Sequence, residues 1–215
     1  MSAKEIFDRA KEKNEEKEAI PPTRAKKIHK IGYVITGSFC TFSKSLQILG
    51  ELRDRGFDLY PVMSENAYYT DTRFFLAEDF SRRVEEVCSK KIIHTITDAE
   101  PLGPRNPMDL MIVAPCTGNT LAKISRGITD TGATMAIKAH LRQDRPLLIA
   151  LASNDALSQN LQSIGAILNR KSVYFVPMRQ DDPVGKPHSL VAEMDRIPEA
   201  IDALSEGRQL RPVFV

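Results

Sequence analysis

From Ile31 to the C-terminus, short runs of continuous apolar residues alternate with stretches of helical periodicity. A strand that is apolar at every residue is buried on both faces, which happens where helices cover both sides of a parallel sheet. The apolar runs are Ile31–Thr36, Phe57–Met63, Asp109–Ala114, Pro146–Ala152 and Ser172–Pro177, with Ile92–Ile96 ambiguous. Between the first two, Phe42, Leu46, Leu49 and Leu52 recur at helical spacing up to Gly56, a residue suited to a helix C-cap. Further helices are expected over Arg73–Cys88, Asn119–Gly127, Ala133–Arg142 and Asp155–Leu168. A final helix is expected from Leu190, Met194, Ile197, Ile201 and Leu204. Asp98–Pro107 and Met178–His188 read as Pro-containing loops. The pattern predicts an α/β fold, a doubly wound, mostly parallel sheet with helices on both faces.

A chain of 215 residues can bury a substantial core without metals or disulfides. The alternation places a single α/β domain at 31–215 and leaves 1–30 as a charged N-terminal extension and linker. There, Lys4 to Glu18 carry dense mixed charge, Pro21-Pro22 stop any helix, and Arg24, Lys26, Lys27 and Lys30 follow. The segment reads as a solvated helix or disordered tail plus linker, with a partner-docking or targeting arm as the functional alternative. A net charge of +2 gives no argument for nucleic acid. Cys40, Cys88 and Cys116 are odd in number, far apart and in no C-x-x-C spacing, which argues against structural zinc or a disulfide framework and fits a reducing cytosol. No apolar run approaches the roughly 18 residues needed to span a membrane, and the charged N-terminus does not read as a secretory signal.

The chemistry gathers in the loops that follow the strands. Met111–Val113 runs into Ala114-Pro115-Cys116-Thr117-Gly118-Asn119-Thr120 and then a helix, which puts short polar side chains and free N–H groups at the carboxyl end of a central strand. Ligands of open α/β sheets sit there. Thr36-Gly37-Ser38, Ser64-Glu65-Asn66-Ala67 and Ala152-Ser153-Asn154-Asp155 fall at equivalent places. Each loop alone has a plain reading, as a βα turn or a helix cap. Together they form a ring of hydroxyl and amide groups suited to a phosphate and a planar hydrogen-bonding ring. Neither G-x-G-x-x-G nor a Walker sequence is present, which disfavours a dinucleotide fingerprint and an NTPase.

Ala114-Pro115-x-Thr117-x-Asn119-Thr120-Leu121-Ala122-Lys123-Ile124 resembles the P-A-S-A-N-T motif of the homo-oligomeric flavin-containing Cys decarboxylases, a flavoprotein family with a Rossmann-like fold. Thr36-Gly37-Ser38 and Ser64-x-Asn66-Ala67 match that family's other FMN loops. The resemblance implies that Gly37, Ser38 and Ser64 hold the FMN phosphate, with Asn66 beside them. It implies that Ala114, Pro115, Cys116, Thr117, Asn119 and Thr120 form the motif loop by the flavin or substrate, and that Ser153 and Asn154 close the flavin edge. A narrower resemblance rests on Thr72-Arg73-Phe74, Ala99–Pro104, Ser153–Leu157, Gln180–Pro183 and Lys186-Pro187. These are similar to the dipicolinate synthase B-type branch of the family. That branch implies a cytoplasmic flavoprotein of a sporulating mother cell, oxidising dihydrodipicolinate to pyridine-2,6-dicarboxylate with an NAD(P)-binding A subunit as partner. The family implies homotrimers, often assembled into dodecamers.

Two substrate carboxylates call for cationic or N–H donors, and Arg suits them best. Arg73 is the first candidate, with Lys186 or His188 after it and Asn119 as an orienting amide. The alternative for Arg73 is a solvated helix residue. No residue stands out as a base. His94 reads as a satisfied structural histidine, Cys116 as a buried small residue, and His29 and His140 as surface residues. A flavin-dependent decarboxylase of cysteine-type substrates and a non-catalytic FMN-binding subunit are the rival functions.

Overall fold

A computed structural model describes residues 27–103, 105 and 107–215, so most of the expected extension lies outside the described residues. The strands are β1 (Lys30–Ile35), β2 (Asp58–Met63), β3 (Leu110–Cys116), β4 (Leu147–Ser153), β5 (Val173–Phe175), β6 (Met178–Arg179) and β7 (Leu190–Ala192). The helices are α1 (Phe42–Asp54), α2 (Glu65–Tyr69), α3 (Ala77–Cys88), α4 (Ile96–Ala99), α5 (Gly118–Arg126), α6 (Gly132–Leu141), α7 (Leu161–Leu168) and α8 (Ile197–Ser205). Short 3₁₀ turns occupy Phe39–Thr41, Glu100–Leu102 and Met194–Arg196.

The expected α/β architecture is present. The seven-stranded sheet runs β2-β1-β3-β4-β7-β6, with β5 also on β4. β2, β1, β3, β4 and β5 are parallel. β4 serves two neighbours. Its first half, Leu147 to Ile149, pairs with β5, and its end, Ala152 and Ser153, pairs antiparallel with β7. Strand pleating sends alternate side chains to opposite faces, and both faces are buried. Tyr33 and Ile35 join Phe42, Leu49, Phe80 and Ile201 on one side, while Val34 joins Met111, Leu121, Ile137 and Ile164 on the other.

Polar side chains and proline override the apolar pattern at several boundaries. Helix α3 begins at Ala77 rather than near Arg73. Thr72 Oγ1 accepts the N–H groups of Phe74 and Phe75 (both 3.2 Å), and the Asp71 carboxylate accepts that of Ala77 (2.8 Å). These bonds hold 71–76 as a turn. The helix expected from Asp155 begins only at Leu161, because Asn160 and Ser153 both donate to the Asp155 carboxylate and hold a compact turn. The helix expected from Leu190 begins only at Ile197, where Pro198 takes a first-turn position that needs no N–H. Leu190 instead belongs to β7, and the expected Met178–His188 loop opens with β6. The ambiguous Ile92–Ile96 stretch covers the sheet edge: Ile93 exchanges hydrogen bonds with Pro61 and Met63 of β2 (3.0 and 2.9 Å).

Candidate functional site

β1 lies between β2 and β3, so the chain leaves it toward one side of the sheet and later continues on the other. The helices follow suit: α1 packs on one face and α5 on the opposite face. Divergence of this kind opens a crevice beyond the carboxyl ends of β1 and β3. A crevice of about 530 Å³ is found there. Gly37, Ser38 and Phe39 line it after β1, Thr117, Gly118 and Asn119 at the start of α5, and Ala152 to Asp155 after β4. Arg73 and Phe74 close it toward β2, and Asp181, Lys186 and Ser189 close it toward β7.

Thr36 ties the two central strand ends together. Its buried hydroxyl donates to the Pro115 carbonyl (2.9 Å) and accepts the Thr117 N–H (2.9 Å), while its own N–H reaches the same carbonyl (3.2 Å). Thr117 then caps α5, accepting the Thr120 N–H (3.2 Å) and donating to the Thr120 hydroxyl (3.0 Å). At the other end, Gly127 takes a left-handed φ of 72° and stops the helix. The spacing Thr117–Gly127 thus fixes both ends of the element that aims at the crevice.

An internal anion already occupies the start of α5. The Asp155 carboxylate accepts hydrogen bonds from Ser153 Oγ (2.5 Å) and Asn160 Nδ2 (2.9 Å). The Ser153 hydroxyl, then the Asn160 amide, holds the carboxyl below the usual carboxylate range. The three side chains press on Gly118, where a Cβ would meet Ser153 Oγ, Asn160 Nδ2 at 2.6 Å and Asp155 Oδ1 at 2.8 Å. Asp155 therefore places a negative charge beside the start of α5. Gly118→Ala is expected to cost about 1 kcal/mol: roughly 2 kcal/mol of overpacking offset by about 1 kcal/mol of helix propensity. Thermal unfolding would then shift down by about 3 °C; an unchanged melting temperature would mean that the cluster yields freely.

Of the residues singled out from sequence, Gly37, Ser38, Thr117, Asn119, Ser153, Asn154, Arg73 and Lys186 come together in the crevice. Several others do not line it. Ala114, Pro115 and Cys116 sit inside β3, with the Ala114 carbonyl held by Ser45 Oγ (2.8 Å). Burial pushes the Cys116 thiol well above its ordinary range, so this position offers no thiolate. Thr120 is buried under its cap. Ser64 caps α2 through the Ala67 N–H (3.4 Å), and Asn66 lies behind Gly37. Asp155, Asp181 and Ser189 join the site without having been singled out. Asp155 and Asp181 were present in quoted motifs, but only the β4–β7 pairing brings the latter near the former.

Two histidines depart from expectation. His94 stacks on Tyr68 (centroids 3.9 Å apart), yet its Nδ1 is buried without a hydrogen-bond partner among the described residues, so there it is not satisfied. His140 is buried at 1 % exposure rather than on the surface, with Nε2 on the Pro146 carbonyl (2.8 Å).

Known proteins share this fold. The Flavoprotein family model matches residues 19–205. The chain belongs to the Flavoprotein family. Within the Flavoprotein family it is 37 % identical over 186 residues to the dipicolinate synthase B subunit of Bacillus subtilis (strain 168), covering 86 % of this chain and 93 % of that one. The crystal structure of the dipicolinate synthase B subunit from Bacillus halodurans is 35 % identical with a TM-score of 0.80, over 87 % of this chain and 96 % of that one. A dodecameric FMN-dependent UbiX-like decarboxylase from Escherichia coli O157:H7 is 27 % identical with a TM-score of 0.57, over 69 % of this chain and 79 % of that one. This flavoprotein is thus a homologue of the B subunit of dipicolinate synthase. Among the described residues no helix is long and apolar enough to cross a membrane.

Proposed function

We propose that the crevice holds FMN and that the chain is the flavoprotein subunit of a dipicolinate synthase, oxidising dihydrodipicolinate to pyridine-2,6-dicarboxylate. The observation that carries this reading is an uncompensated cation facing free donors. Arg73 opens into the crevice and has no carboxylate partner among the described residues; its guanidinium lies over the Phe74 ring at 4.8 Å. The similarity to the B subunit of dipicolinate synthase supplies the matching ligand, a small ring with two carboxylates.

The donor set fits FMN. The Gly37 N–H has no acceptor among the described residues, and the Ser38 hydroxyl makes only a 4.0 Å contact with Cys40 Sγ. Both stand at the start of the 3₁₀ turn, whose first N–H groups point outward and suit a phosphate. Ser64 accepts from Ala67 but retains its own O–H to donate, with Asn66 near it. Asn119 and Asn154 are exposed amides that suit the polar edge of the flavin or a substrate carboxylate. Ala114, Pro115 and Cys116 would hold this loop from the end of β3 and Thr120 from the first turn of α5, and Ser153 would act through Asp155. FMN would supply hydride acceptance, favoured here because the product ring is aromatic. Arg73 would clamp one carboxylate in a fork, Asn119 would orient it, and Lys186 would receive the second.

The same reading gives the chain an NAD(P)-binding A subunit as partner, a cytoplasmic mother-cell location, and a homotrimer or dodecamer as its assembly. The exposed apolar strip of Tyr69, Phe74 and Leu76 beside the crevice supports a second copy closing over it. The test is reconstitution with FMN followed by anaerobic addition of dihydrodipicolinate. Flavin bleaching with release of pyridine-2,6-dicarboxylate is expected. A flavin that stays oxidised until the A subunit and NAD(P)+ are added would make this a non-catalytic FMN subunit. Release of CO2 from a cysteinyl substrate without dihydrodipicolinate oxidation would make it a decarboxylase, and a protein that stays colourless with FMN would overturn the cofactor.

A further inference from the structure

The crevice carries cations on both sides, and they differ in one respect. Arg73, toward β2, has no carboxylate partner among the described residues, whereas Lys186, toward β7, is paired with Asp181 at 2.9 Å. The pair is not needed to shape its loop. The Asp182 carboxylate accepts the Gly185 N–H (2.8 Å), the Lys186 N–H reaches the Asp182 carbonyl (2.8 Å), and Gln180 Nε2 donates to the Pro187 carbonyl (3.0 Å). These bonds close the turn whatever Asp181 does. Lys186 and Ser189 hold the Asp181 carboxyl below the usual carboxylate range, so it is ionised at neutral pH. Both partners are partly solvent-exposed, at 53 % and 30 % of their side chains, which makes the pair weak and exchangeable.

Resting on the reading of the crevice as a carboxylate site, we propose that Asp181 is an internal stand-in for a ligand carboxylate, masking Lys186 and so holding down the affinity for dicarboxylates relative to monocarboxylates. A ligand with one carboxylate is served by Arg73 and leaves the pair intact. A ligand with a second carboxylate at the far side of its ring takes Lys186 only by displacing Asp181. Displacement exchanges one carboxylate for another on the same ammonium, so the second carboxylate gains less than it would on an unpaired Lys186. A monoanion held by Arg73 never meets the pair, so the mask lowers the affinity for dianions alone.

The experiment is calorimetric titration of the full-length, FMN-supplied protein with pyridine-2,6-dicarboxylate and with pyridine-2-carboxylate. Asp181→Asn is expected to tighten the dicarboxylate roughly tenfold while leaving the monocarboxylate within about twofold. Asp182→Asn removes the same charge from the same loop but keeps an acceptor for Gly185, and is expected to change neither. Lys186→Met is expected to abolish the preference for the dicarboxylate, and Asp181→Asn to have no effect in its background. Equal tightening of both acids by Asp181→Asn, or equal effects of the two loop variants, would overturn the mask as mere loss of negative charge. An unaltered dicarboxylate affinity in Asp181→Asn would also overturn it, while leaving the carboxylate reading of the crevice intact. Binding of neither acid by wild type and Asp181→Asn alike would overturn that reading and the mask with it.

Discussion

Arg73→Met is expected to weaken binding of pyridine-2,6-dicarboxylate about a hundredfold, close to 2.7 kcal/mol, with no loss of fold. The size follows from the environment. Among the described residues no carboxylate neutralises Arg73, and Phe74 supports its guanidinium at 4.8 Å, so the fork is free to donate two parallel hydrogen bonds to one carboxylate. Hydrogen bonds to charged groups contribute about 1.5–3 kcal/mol, and methionine keeps much of the length of the side chain while offering none. The residue stands on an exposed turn whose shape is set by Asp71 and Thr72, so its removal leaves the packing alone. Arg73→Lys is expected to recover only part of the loss, because a point charge cannot reproduce the fork. Calorimetric titration against both variants checks the assignment; an Arg73→Met protein that binds like wild type would remove Arg73 from the site.

The second large effect is on stability and comes from His140. Burial pushes this imidazole down to about 4, because its charged form loses water and the Pro146 carbonyl offsets only part of that loss. Its Nδ1 is buried without a partner among the described residues, so the second proton finds no acceptor there. In the unfolded chain the ring titrates near 6.5. The folded value is the lower one, so the ring is neutral in both states above the unfolded value and contributes no pH dependence there. As pH falls from about 6.5 toward 4, the unfolded chain gains a proton that the folded chain refuses. Urea unfolding should therefore show a loss of about 3 kcal/mol between pH 7 and pH 4. His140→Gln is expected to flatten that slope, whatever its effect at pH 7. The carboxylates held low by hydrogen bonds, Asp155 and Asp181 among them, lose their contribution only at and below the ordinary carboxylate range, so the upper part of the window belongs to the histidine. A His140→Gln protein with the wild-type slope would refute the assignment.

The burial of His140 also marks where sequence reasoning stops. A lone histidine near the end of a helix looks solvent-facing, and nothing in Ala139-His140-Leu141 says that the strand start at Pro146 will fold over it. Cys116 went the other way: an apolar run leading into it was enough to foresee a buried thiol. The helix from Leu190 failed because i, i+4 spacing also fits a strand followed by a turn, and the pairing with β4 is a long-range choice that local pattern does not contain. Asp155 illustrates a subtler limit. The Ser153-Asn154-Asp155 run was visible as a polar loop, but its carboxylate comes beside the start of α5 only because Gly118 lets the two segments meet.

The sequence by itself determined the parallel sheet, because continuous apolar runs can be satisfied only when both faces of a strand are covered. It also determined the ring of loops, because glycine, hydroxyl and amide residues after a strand are local signals of turns and caps. Tertiary structure alone decided which of those groups remain free. Thr36 and Thr117 spend their hydroxyls holding β1 to β3 and capping α5, whereas Ser38, Asn119 and Asn154 are left facing the crevice. It likewise decided that Arg73 has no carboxylate partner among the described residues and that Lys186 is paired. Charge and hydrogen-bond capacity are written into each residue, but whether a partner has already used them depends on contacts between segments far apart in the chain.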